Sequence, residues 1–193
     1  MHSSIFPALS ISLLWVSFGL ALPFAPGDVS TIKSSRSIDT CADPSITQTV
    51  FQAFGASITE HVLNYRHFFE NGITRGSAGL TDLEPAFRAW PTQQNFTVPL
   101  FQLGTPDRTQ FIYRTGTDAQ TPPVVSGFNT QVALLGWVYD SQVCGSVPLM
   151  SAVLPSFTDH YYTTNSFEHD SLVSSDGWTD GGVVAFVLPL YNC

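Results

Sequence analysis

A repeat of 49 residues constrains this chain more than any other feature of its sequence. Val98-Pro99-Leu100-Phe101 recurs as Val147-Pro148-Leu149-Met150, and a less regular copy opens at Thr49-Val50-Phe51-Gln52. Ten or eleven positions later each copy carries a polar pair followed by bulky residues: Glu60-His61-Val62-Leu63, Thr109-Gln110-Phe111-Ile112 and Asp159-His160-Tyr161-Tyr162. Asn71-Gly72-Ile73, Ser126-Gly127-Phe128 and Asp176-Gly177-Trp178 then share a polar, glycine, bulky turn. Trp90, Tyr139 and Leu188 close the copies at the same spacing, with Pro91 matched by Pro189 and Cys144 by Cys193. Ordered matches at one period mark a tandem repeat of about 49–97, 98–146 and 147–193.

Short runs rich in aromatic and β-branched residues predict strands near 98–103, 110–115 and 134–139, and again near 147–153, 160–164 and 183–188. In the third copy Asn165-Ser166-Phe167-Glu168 has the spacing of a capping box and predicts a short helix through 173. Residues 64–70 can fill the same slot in the first copy, whereas Thr121-Pro122-Pro123 removes it from the second. No single unit of this size can bury a hydrophobic face alone, so the three must share one core around a pseudo-threefold axis. The expected class is mainly β and β-trefoil-like, with a small propeller-like ring as the alternative. Closure would also hide strand edges that invite aggregation.

The N-terminus reads as an export signal. Residues 5–20 are mostly apolar, Gly19 and Ala21 offer the small side chains of a cleavage site after residue 21, and the segment is shorter than the roughly 20 apolar residues a membrane anchor needs. His2 is the nearest approach to a basic n-region. Residues 22–40, rich in Ser, Thr and Pro, read as a flexible extension, and 41–193 as one domain. With 11% charged residues, a net charge of -8 and seven scattered Lys and Arg, the chain has no basic footprint for nucleic acid or anionic lipid. Cys41, Cys144 and Cys193 lack metal-site or redox spacing and imply one disulfide with one cysteine left over, the pairing open. Asn95-Phe96-Thr97 is an N-glycosylation sequon.

The run Asp159-His160-Tyr161-Tyr162-Thr163-Thr164-Asn165, the acidic short helix after it, Gly177-Trp178 and the apolar closing strand resemble the repeat of a secreted family called domain of unknown function 5648. The similarity extends over about 41–193, and the first two copies depart from it at Asn64-Tyr65 and Tyr113-Arg114. That family has tandem repeats in fungal secreted proteins and at the C-terminal ends of bacterial extracellular hydrolases. The resemblance implies an accessory or cell-wall-associated role with no established catalytic residues. It also implies a Cys41–Cys144 bond, whereas ring closure alone would favour Cys41 with Cys193.

Asp159, His160, Tyr162 and Trp178, with Tyr161 among them, form the richest constellation for a ligand. A sugar site needs an aromatic face for the apolar side of a pyranose and a carboxylate or imidazole for its hydroxyls. On a strand, His160 and Tyr162 face one side and Tyr161 the other. The plainer alternative packs Tyr161 in the core and leaves Asp159 and His160 to bond backbone. His61, His67, His160 and His169 lack metal-site spacing, so no metal and no cofactor is expected. No Gly-x-Ser-x-Gly elbow, His-Glu-x-x-His motif or phosphate loop is present, and no catalytic residue is assigned. Paired carboxylates (Asp82 with Glu84, or Asp159 with Glu168 and Asp170) keep a glycoside hydrolase as a remote alternative. The expected function is a secreted, non-catalytic binding module for extracellular polysaccharide or cell-wall glycan. A secreted protein-interaction or structural role is the second reading.

Overall fold

The computed structural model describes residues 41–74, 79–175 and 177–191, excluding the side chains of 72–74, 82 and 83. The expected signal peptide and extension lie outside the described residues, as do Asp176 and Cys193. Each repeat folds as an antiparallel sheet whose first strand is central. In the first repeat β1 (Gln48–Gly55) lies between β2 (Glu60–Tyr65) and β3 (Leu80–Ala89). In the second, β4 (Val98–Gly104) lies between β5 (Phe111–Thr115) and β6 (Gln131–Val138). In the third, β7 (Val147–Leu154) lies between β8 (Asp159–Thr163) and β9 (Thr179–Val187). The chain is thus mainly β, and the predicted strands are present with ends moved by a few residues.

Helix α1 (Arg66–Thr74) follows β2, and α2 (Ser166–Val173) follows β8. The first starts two residues later than the sequence suggests, because Asn64 and Tyr65 are held in β2 opposite Phe51 and Val50. The second repeat has no helix between β5 and β6. There the Asp118 carboxylate accepts from the Gln120 and Thr121 amides at 2.9 and 2.8 Å, an Asx-type turn that leads into Pro122-Pro123.

Three independent features obey the threefold rule. Immediately beyond the pairs Val50 with Phe87, Leu100 with Gly136 and Leu149 with Ala185, each central strand meets a bulge in its third strand. Past the third strands, Trp90 bridges Trp137, Tyr139 bridges Phe186 and Leu188 bridges Arg88, so each repeat hands on to the next and the last returns to the first. Before each central strand, a Thr or Ser hydroxyl closes a turn on the carbonyl three residues back: Thr47 on Pro44, Thr97 on Gln94 and Ser146 on Val143. The ring closure that both expected architectures require is therefore built into the backbone. The bulges also correct the repeat alignment: Val50 matches Leu100, so the step from first to second repeat in the hairpins is one residue longer than the period.

The equivalents Val50, Leu100 and Leu149 are fully buried in the shared core, joined by Leu63, Tyr113 and Tyr162. Burial of each such side chain contributes about 1.5–3 kcal/mol, and no repeat could supply the partners alone. Tyr113 crosses between repeats: its hydroxyl accepts from the Leu63 amide at 2.7 Å and donates to the Leu63 carbonyl at 2.9 Å. Its ring meets Tyr162 edge to face at 5.0 Å. Gly136 takes the place of Phe87 and Ala185 because a Cβ there would lie 2.6 Å from the Tyr65 hydroxyl. At the end of the ring where the bridges form, Trp90, Trp137, Tyr139 and Leu188 pack with Ala42. The Cys41–Cys144 disulfide ties the segment before the first repeat to the turn that opens the third, with Cα atoms 5.7 Å apart. Among the described residues no helix is long and apolar enough to cross a membrane.

Candidate functional site

The first and third sheets face one another across a groove. In-register pairing puts Gln52 opposite Leu63 and Glu84, and Phe54 opposite His61, so Gln52, Phe54, His61 and Glu84 share one face of the first sheet. On β8 the alternation sends Asp159, Tyr161 and Thr163 towards that face. The outcome is a cavity of about 400 Å³ lined by Gln52, Phe54, His61, Glu84 and Tyr161. A smaller one of about 190 Å³ shares Gln52, Glu84 and Tyr161 and extends to Thr164, Asn165 and Glu168.

Each wall is fixed by bonds between repeats. The Gln52 carbonyl oxygen accepts from the Tyr162 amide at 3.0 Å, so this largely buried side chain pins β1 to β8. Asp159, also buried, takes the His61 amide at 2.9 Å and the His61 Nδ1 at 2.9 and 3.0 Å through its two oxygens. The His61 ring stands edge-on to Tyr161 and tilted to Phe54, both at 4.9 Å between centroids. A carboxylate on Nδ1 places a proton on that nitrogen, so that in the neutral ring Nε2 is the acceptor.

The third wall is organised by α2. Asn165 caps the helix by accepting from the Phe167 and Glu168 amides at 3.0 and 3.4 Å. The capping box is nonetheless incomplete, since the Asn165 amide is taken by the Thr163 hydroxyl at 3.0 Å. Glu168 is thereby released to the groove, where it accepts from the Tyr161 phenol at 2.8 Å and from the Thr163 hydroxyl. Burial, then the bond to Glu168 and the charges of Glu168 and Glu84, raise the Tyr161 pKa well beyond the ordinary phenol value, so it stays protonated.

The constellation read from the sequence is divided by the fold. Asp159 is committed to His61. His160 faces the second repeat, its ring 6.3 Å from Phe128, and burial lowers its pKa despite Asp159. Tyr162 is a core residue at 1% exposure, not a stacking surface, because β8 turns it towards Tyr113. Trp178 stands half-buried in the segment after α2, outside the groove lining. Tyr161, assigned to the core by the plainer reading, is the aromatic that meets the groove. The remaining histidines are placed singly: His67 stacks on Tyr65, and His169 reaches the Ser151 carbonyl at 3.2 Å. Of the proposed carboxylate sets, the Asp82 side chain lies outside the described residues, and Asp159, Glu168 and Asp170 go to different partners.

A second polar feature lies where the repeats meet. Glu60, the first-repeat equivalent of Asp159, has no exposed surface, and neither carboxylate oxygen has a well-formed hydrogen bond among the described residues. Burial first, and the Asp159 charge second, raise its pKa to about 9, with only partial relief from the Phe111 and His160 amides nearby. Glu60 is therefore a neutral acid at physiological pH.

The model for the family described as a domain of unknown function, DUF5648, matches residues 49–188. The chain belongs to the DUF5648 family. In this DUF5648 domain the matched span runs from β1 to the closing bridge at Leu188, which is the whole ring. No curated protein and no solved structure matches the chain.

Proposed function

We propose that this DUF5648 protein is an exported glycan-binding module whose site is the groove between its first and third repeats. The observation that carries the reading is the joint lining of one open cavity by Phe54 and Tyr161 with His61, Gln52 and Glu84. Aromatic rings offer the apolar face of a pyranose a surface to cover, while the imidazole, amide and carboxylate meet hydroxyls in fixed directions. Both walls are held by bonds between repeats, so the site is preorganised and binding loses little entropy to ordering. Binding is favoured over hydrolysis because, of the two carboxylates that line the groove among the described residues, Glu168 is engaged by the Tyr161 and Thr163 hydroxyls. Export is supported by the disulfide and by the signal-like N-terminus. The test is retention on a panel of insoluble chitin, its deacetylated form, cellulose, β-glucan and mannan. Wild type is expected to be retained on at least one polymer and Tyr161→Ala and Phe54→Ala, checked for folding by circular dichroism, to be released. Equal retention of both variants, or none by wild type, would overturn the reading.

A further inference from the structure

The geometry points to a ligand class for this groove: a saccharide that carries free amino groups, as in a polymer of deacetylated hexosamine. It rests on the reading of the groove as a glycan site. The polar inventory is rich in acceptors and poor in donors. With Nδ1 given to Asp159, the neutral His61 ring has Nε2 left as an acceptor. Glu84 is exposed, and its carboxylate makes no hydrogen bond or ion pair with any described residue. Glu168 is engaged by two hydroxyls, but each of its oxygens keeps a further lone pair. No Lys or Arg lines either cavity among the described residues, in a chain with a net charge of -8.

A uronate or sulfated sugar would set its anion among these carboxylates with no cation to receive it. A neutral sugar supplies only uncharged hydroxyl or amide donors. An ammonium supplies three donors and a positive charge, which suit Glu84 and His61 Nε2 together, and it gains further from the Tyr161 and Phe54 rings beside them.

Calorimetric titration of the full exported chain near neutral pH with hexamers of glucosamine, N-acetylglucosamine and galacturonate decides the matter. The glucosamine hexamer is expected to bind about tenfold more tightly than the acetylated one, with a preference that shrinks as salt rises. Glu84→Gln, a change at an exposed position, should remove the preference by weakening the glucosamine hexamer far more than the acetylated one. Equal or tighter binding of the acetylated or uronate hexamer, or a preference that survives Glu84→Gln, overturns the inference. Retention on the polysaccharide panel without preference for the amine defeats this inference alone. Failure to bind the panel and all hexamers defeats the glycan reading with it.

Discussion

Replacing Glu60 by glutamine should remove a large part of the pH dependence of this protein's stability. Glu60 is fully buried, and its pKa rises from the ordinary 4.5 to about 9 in the folded chain. Between those values the folded state holds a proton that the unfolded state has released. Stability therefore falls as pH rises, by about 1.4 kcal/mol per pH unit. The contribution is full below the unfolded value and is lost as pH climbs through the folded one. Across the window the loss is on the order of 6 kcal/mol as an upper bound, because water entering on ionisation softens it. That is comparable with the whole stability of an ordinary domain, about 5–15 kcal/mol. Glutamine cannot titrate, and Gln110 already occupies the equivalent position in the second repeat. Urea denaturation at close pH intervals should show a steep alkaline decline in wild type and a much flatter profile in Glu60→Gln. Parallel profiles would refute a neutral buried acid at this junction.

Other expectations follow from the same contacts. Reduction of Cys41–Cys144, which closes a separation of 103 residues, should cost about 4–5 kcal/mol of stability. The native oxidised chain should yield one titratable thiol, at Cys193. Tyr113→Phe deletes both bonds to Leu63 and should cost about 1–3 kcal/mol by urea melt. A near-neutral result would deny that this phenol ties the first two repeats together. Expression in a glycosylating host should add a glycan mass that Asn95→Gln abolishes: Asn95 is exposed in the turn that Thr97 closes, and Phe96 beside it has φ 64°. Intact mass spectrometry reads the difference.

The repeat was legible because its strongest marks, Trp90, Tyr139 and Leu188, are the residues that carry the bridges closing the ring. The one-residue offset of the first repeat was hidden, since only the positions of the bulges reveal that Val50 matches Leu100. Strand alternation correctly separated Tyr161 from Tyr162. It could not say which face met the core, because both neighbours are tyrosine and the second repeat, which receives Tyr162, is distant in sequence. His61 and Asp159 lie 98 residues apart, and neither carries a local motif that announces the other. In the sequence Glu60 is one member of a polar pair, and only closure of the ring makes it a buried acid. Glu168 was legible as a cap residue, and its diversion to Tyr161 follows from Thr163 taking the Asn165 amide first.

The most direct test of a ligand groove between the first and third repeats is a residue-by-residue NMR titration of the labelled chain with the oligosaccharide that the polymer panel selects. The account predicts saturable shifts at Gln52, Phe54, His61, Glu84 and Tyr161, with His160, Phe128 and Trp178 unmoved. Shifts that gather around His160 and Trp178, or that scatter without saturating, would contradict it.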